Sequence, residues 1–424
     1  MSNHAGTTQP GRWHTMALMA GVASALSTTR AAAQWPQWGG ADRDFKIDSE
    51  PLAETWPDAG PKQLWKRRLG DGFASIAVGA DRLYTMYRTD TSEFSVALEA
   101  RTGNTIWEVK QDSPFTDTMA EWGPGPHVTP LVTGDLVITI GTNGVMHAIH
   151  KNSGEVAWKH DLPAEFGIEI RARGYACNPI AYDDMVVIQG GAFEKKGLAV
   201  LAFDRETGSL RYKTGDFGPS YASPLLIRFN DQDQLLALMV SELVGLNPRT
   251  GEVLWQFEHK NDVGVNASMP LWDGRDTIFL SSAYDSGSRA VRLTTEDGRV
   301  VPKELWFTRK IRIHFGNAVL VGDHVYCSSG MGSALFGAVD IHTGDIPWRQ
   351  RGFGRANVLH ADGKLIILDE DGDLAIARAA PDRLEILARA HVAEPHAWAA
   401  PTLVDGTLYL RDRKHIMALD LTRR

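Results

Sequence analysis

The stretch Val96–Trp107, VALEARTGNTIW, decides the fold because it keeps returning in degraded form. It comes back as HAIHKNSGEVAW (147–158), LAFDRETGSLRY (201–212), VGLNPRTGEVLW (244–255) and GAVDIHTGDIPW (337–348). A unit repeated this often is the architecture of the chain. Each copy reads as a half-buried strand, a tight turn and a return strand. The turn glycine supplies the positive φ that a short hairpin loop needs. The small residue at Ala97, Ala148, Ala202, Gly245 and Ala338 leaves room, and the closing aromatic fills space between neighbouring units.

The turn glycines fall at Gly103, Gly154, Gly208, Gly251, a weak copy at Gly298, and Gly344. Between them lies a second recurring hairpin, from VTPLVTGDLVITIG (128–141) and CNPIAYDDMVVIQGG (177–191) round to AAPTLVDGTLYLRD (399–412). One unit is therefore four antiparallel strands, the content of a propeller blade. Third strands begin near Ala97, Ala148, Ala202, Gly245, Val291, Ala338, Ala375 and Ala418. The last of them, IMALDL (416–421), has no return strand after it. The first return strand, KQLWKRRL around Trp65, has no partners before it. The expected fold is thus all-β: an eight-bladed propeller of four-stranded antiparallel blades. Pairing of its N-terminal and C-terminal strands closes the ring and removes two open sheet edges.

The pattern A-x-D-x-x-T-G-x-x-x-W resembles the repeat of the pyrroloquinoline-quinone-type (PQQ-like) β-propellers. That group includes quinoprotein alcohol dehydrogenases and BamB, a component of the outer-membrane β-barrel assembly machinery. The openings WPQWGGADRD (35–44) and WPDAGPKQLWK (56–66) are similar to those of an exported bacterial subgroup. The resemblance runs from about Trp35 to the C-terminus and implies the fold. For activity it implies two readings, because enzymes and scaffolds share the repeat.

Bulk composition fits a globular chain of 424 residues, with 43% hydrophobic and 23% charged residues. The net charge of −8 and the lack of a basic stripe argue against a nucleic-acid partner. The densest basic run, WKRRLG (65–70), reads as one solvated face of a strand. Near the N-terminus Arg12 and His14 precede an apolar run, MALMAGVASAL (16–26), and then Ala31–Ala33. This is the pattern of a secretory signal peptide over 1–33 cut before Gln34, too short to span a bilayer. An N-terminal extension over 34–62 is then expected to pack on a propeller over 63–424, in a periplasmic or secreted monomer. Cys177 and Cys327 fall in different units and read as two separate buried thiols. The spacing C-x-x-C-H does not occur, so a covalently attached c-type haem is excluded.

Motifs for chemistry are sparse. LDEDGDLAI (368–376) places Gly372 too early for a twelve-residue calcium loop and reads as a hairpin turn. Neither a G-x-S-x-G elbow nor an H-E-x-x-H zinc motif is found. One constellation stands out, on the loops that lead into each innermost strand, which open at one end of the central channel. They carry His127, then Arg173, Tyr175 and Asn178, then Tyr221 and Asn266. Further round they carry His314 and Asn317, Arg355, and His396 and Trp398. Together these make a mouth able to hold an anionic, sugar-like or quinone-like ligand. The expected role is non-catalytic binding or scaffolding, with periplasmic or envelope proteins or a small polar ligand as partners and no metal site. The alternative is a dehydrogenase of alcohols or sugars using PQQ and Ca²⁺, for which these loops offer few carboxylates beyond Glu121 and Glu394.

Overall fold

The computed structural model describes residues 1–2, 35–111, 125–194, 196–332 and 335–423. The expected leader lies, beyond its first two residues, outside this range, as does Glu121. All the blades belong to the unit Ala33–Arg424.

The chain forms eight four-stranded antiparallel blades, one of them joined by a short fifth strand. Blade 1 shows the plan: Ala77–Gly79 innermost, then Arg82–Arg88, Glu93–Glu99 and Thr105–Lys110. The middle strands are buried on both faces because each blade is sandwiched between two others, so Val96, Ala97 and Leu98 are all inaccessible. The outer strand Thr105–Lys110 buries only Trp107 fully. Closure occurs in blade 8, where Lys62–Arg68 pairs antiparallel with His415–Asp420 and Trp65 faces Ala418. In that outermost strand Lys62, Lys66 and Arg68 are exposed. Both cysteines are free and buried, Cys177 entering blade 3 and Cys327 within blade 6.

The repeat is explained by how blades dock. A Cβ added to Gly154 would stand 2.8 Å from the ring of Trp107 in the preceding blade. The same holds for Gly103 on Trp65, Gly208 on Trp158, Gly251 on Tyr212 and Gly344 on Trp306, at 2.6–2.7 Å. Each glycine is needed twice over, for its positive φ and for the aromatic that lies on it. The same aromatics donate to a carbonyl of that turn: Trp107 Nε1 to Lys151 O and Trp158 Nε1 to Arg205 O at 2.9 Å, Tyr212 Oη to Pro248 O at 2.8 Å. Three seams lack this joint: those between blades 4 and 5, between 6 and 7, and between 7 and 8, where the outer strand Glu385–His391 carries no Trp, Tyr or Phe. At the weak copy, Gly298 has nothing within 4 Å of an added Cβ, and Trp255 turns back beneath its own Gly245 to reach Gln234. Blade 7 has no copy of the turn, and the Trp348 indole N–H has no partner among the described residues.

Residues 35–47 cross one end of the channel. Trp35 exchanges backbone hydrogen bonds with Val78, and Pro36 O accepts from Val132 N. Lys46–Ile47 then adds in parallel to Asn357–Ala361 of blade 7. Trp38 packs edge-on against buried Phe45 at 5.1 Å. Gly39 permits the tight return, since a Cβ there would meet the backbone of Arg43 at 2.9 Å.

Candidate functional site

Strands alternate in direction within a blade, so the loop entering strand one and the loop joining strands two and three open at the same end. At that end a cavity of about 450 Å³ is lined by His127, Arg173, Asn178, Tyr221, His314, Arg355 and Trp398. Trp38, at the edge of the segment crossing the channel, also lines it.

An aromatic belt runs round much of this wall. His127 stacks on Phe73, with centroids 5.5 Å apart and planes at 9°. Phe73 contacts Trp398 at 5.2 Å, and Trp398 meets Phe315 edge-on at 5.0 Å. Phe315 touches His314 at 4.6 Å, and the Tyr284 hydroxyl lies 2.7 Å from His314 Nε2. Burial, aided by the Arg355 and Arg173 charges, holds His314 down at about 4, so the ring is neutral near pH 7. Nε2 shares a hydrogen bond with the Tyr284 hydroxyl whose direction follows the tautomer, and Nδ1 has no partner among the described residues.

Glu370 organises the cationic side. Its Oε2 accepts from Arg355 Nη1 at 2.7 Å and from Trp398 Nε1 at 3.2 Å. Its carbonyl accepts from His396 N at 2.7 Å and Ala397 N at 3.1 Å. Arg355 and His396 both take positive φ, 41° and 69°, a strain of order 1 kcal/mol each that these contacts hold in place. Arg173 lines the same cavity as the Arg355–Glu370 pair.

Four expected residues lie away from this cavity. Tyr175 is buried and donates to Gln189 O at 2.7 Å. Asn266 is buried, its Nδ2 donating to Met239 O at 2.7 Å and its Oδ1 accepting from Ser282 and Asn261. Asn317 bridges two blades, accepting from Val358 N and donating to Val358 O. His396 stands behind Trp398, edge-on at 4.9 Å. The asparagines at these loop ends are latches for main-chain groups. Asn178 does line the cavity, yet its Oδ1 is also engaged, by Thr129 N at 2.6 Å.

Reading the loops in sequence missed Phe73, Tyr284, Phe315, Met331 and Glu370. The signal for three of them was present: Tyr284, Met331 and Glu370 sit on second-to-third-strand loops, which open at the same end. Glu370 belongs to the LDEDGD turn, which is a hairpin turn with Gly372 at φ 94°.

A family model described as "Outer membrane protein assembly factor BamB", of the PQQ-repeat type, matches residues 92–311 and 243–383. This chain belongs to that family. Solved structures similar to this member include the quinohemoprotein alcohol dehydrogenase from Comamonas testosteroni, 13% identical, with 92% of this chain and 81% of that one covered and a TM-score of 0.66. A europium-containing methanol dehydrogenase is 12% identical, covering 90% and 89%, with a TM-score of 0.68. BamB from Moraxella catarrhalis is 17% identical over 85% of this chain and 99% of that one, with a TM-score of 0.44. At these identities the likeness is one of fold. Among curated proteins none matches this sequence.

No helix among the described residues is long and apolar enough to cross a membrane. Among the same residues, no group of three or more His, Cys, Asp or Glu side chains is placed to hold a metal ion. Burial pushes both thiols up to about 12, which keeps them protonated and unreactive.

Proposed function

We propose that this protein is a non-catalytic, exported binding propeller whose channel mouth takes a flat aromatic ligand bearing carboxylates. The observation that carries the reading is the aromatic belt from His127 through Phe73 and Trp398 to Phe315, with Arg173 and Arg355 beside it. Aromatic walls offer stacking faces, and guanidinium groups pair with carboxylates in forked geometry. The leader-like N-terminus supports export.

The second reading is a PQQ- and Ca²⁺-dependent dehydrogenase. Stacking faces and cations favour the quinone, which has three carboxylates and a flat ring. The oxygen donors disfavour the metal. Calcium takes six to eight oxygens, carboxylates prominent among them. Here the Asn178, Asn266 and Asn317 oxygens accept from neighbouring loops, and Glu370 is tied to Arg355 and Trp398. Among the described residues the donor set does not fit a hard cation, and we derive no oxidation step.

Titration of the full chain with a naphthalene dicarboxylate, read by calorimetry, tests the proposal. Binding is expected without added metal, and Arg173→Ala should weaken it about tenfold, about 1.4 kcal/mol. Binding of the uncharged naphthalene diamide with equal affinity would refute the carboxylate reading.

A further inference from the structure

The cavity at the mouth has two unlike sides. Phe73, Trp398 and Phe315 bring aromatic rings from blades 1, 8 and 6. Blades 4 and 5 bring Tyr221 and Tyr284, and the bonds already made by these two hydroxyls limit what they offer a ligand.

Tyr221 Oη accepts from Arg173 N at 3.1 Å. A backbone N–H can only donate, so the phenol proton is left for another acceptor. None is found among the described residues. The ring is pinned from one side by the Arg171 guanidinium, 5.4 Å from its centroid. Arg171 is itself anchored on Pro219 O and Gly264 O.

Tyr284 Oη lies 2.7 Å from His314 Nε2, and the neutral imidazole carries one N–H. On Nδ1 that proton would be a buried donor without an acceptor, whereas an unfilled lone pair there costs less. The proton therefore sits on Nε2 and is donated to Tyr284. The Tyr284 proton, like that of Tyr221, then has no acceptor among the described residues.

The backbone beneath Tyr284 points the same way. Tyr284 and Asp285 occupy the centre of the turn Ala283–Ser286 at φ 54° and 63°, with Ser286 N donating to Ala283 O at 3.2 Å. Turns of this kind favour asparagine or glycine, as at Asn230–Asp231 in blade 4. A tyrosine kept at a left-handed φ is strain of the sort that collects at ligand sites. Acceptor atoms beside the two phenols are taken. Asn178 Oδ1 accepts from Thr129 N, and Ser223 Oγ accepts from Asn178 N and Nδ2 at 3.1 and 2.8 Å.

We propose that Tyr221 and Tyr284 are specificity-determining donors, selecting an aromatic ligand that carries a ring carbonyl as well as its carboxylates. The proposal rests on the reading of the mouth as a site for a flat aromatic carboxylate. A carbonyl oxygen has two lone pairs and no proton, which matches a wall that offers protons. A hydroxyl at the same place brings a proton that these side chains do not accept.

Calorimetric titration of the full chain with fluorenone, fluorene and fluorenol dicarboxylates, their carboxylates at matched positions, tests it. The ketone should bind about tenfold more tightly than the hydrocarbon, the worth of two neutral hydrogen bonds. The alcohol should bind more weakly than the ketone. Tyr221→Phe and Tyr284→Phe should each cut the ketone-to-hydrocarbon ratio to about threefold. Tyr221→Phe also removes the acceptor of Arg173 N, so Tyr284→Phe decides if that variant fails to fold. A hydrocarbon or alcohol that binds as tightly as the ketone overturns the proposal and leaves the broader reading of the mouth standing. So does a ratio unchanged by Tyr284→Phe. Binding of none of the three overturns both.

Discussion

The rim of the ring and its channel mouth are built on opposite logics. At the rim, five glycine turns each carry an aromatic from the preceding blade in nearly one geometry. At the mouth the blades share no single residue: in order round the ring they bring Phe73, His127, Arg173, Tyr221, Tyr284, His314, Arg355 and Trp398. Repetition specifies the scaffold, and departure from repetition specifies the site. The three seams without the glycine joint show that the ring tolerates a missing joint when the neighbouring contacts remain.

The largest expected effect tests closure. Deleting residues 411–424 removes the whole strand that faces Trp65 and reopens two sheet edges, so thermal unfolding should move to a much lower temperature. Melting at the temperature of the intact chain would show that the ring does not depend on its latch.

Next come the seams themselves. Gly154→Ala forces a Cβ against Trp107 at a left-handed φ, and should cost about 2–4 kcal/mol by chemical denaturation. Gly298→Ala carries only the backbone strain, about 1–2 kcal/mol, since nothing lies near. Equal costs would break the distinction between jointed and unjointed seams. Trp107→Phe should cost about 1–3 kcal/mol more than Trp348→Phe. The first removes a bond to Lys151 O, and the second removes an N–H that has no partner among the described residues.

A smaller effect concerns pH at the mouth. His314 is held at about 4 when folded against an ordinary 6.5, so the unfolded chain binds the extra proton between those values. Its contribution is therefore full above pH 6.5 and lost as pH falls towards 4, by at most about 1.4 kcal/mol per unit. Asp369, pushed up to about 6 by burial, acts in the opposite sense. The comparison with His314→Gln isolates the histidine: the variant should lose less stability between pH 6.5 and 4. Parallel pH profiles would contradict the neutral assignment.

The difference between rim and mouth also explains what was legible in the sequence. Blade count, strand order and the pairing of Trp65 with IMALDL could be read because each rests on a periodic signal that the same packing must satisfy repeatedly. Seven of the eleven expected mouth residues line the cavity, because loop position follows from topology. The other four do not, since a loop position says nothing about which way a side chain turns. Asn266 and Asn317 turn inward because unpaired main-chain groups at blade junctions must be satisfied. Glu370 was hidden in a stretch whose turn chemistry was fully explained by Asp371–Gly372. Trp38 reaches the cavity only because residues 35–47 cross the channel, a path that no local pattern announces.

The most direct test of the account is a titration of the full chain with pyrroloquinoline quinone, in Ca²⁺ and in chelator, followed by dye-linked oxidation assays on alcohols and sugars. The account predicts weak binding of equal strength in both buffers, reduced about tenfold by Arg173→Ala, and no dye reduction. Tight binding that requires Ca²⁺ and confers dehydrogenase activity, abolished by Arg355→Ala, would contradict it.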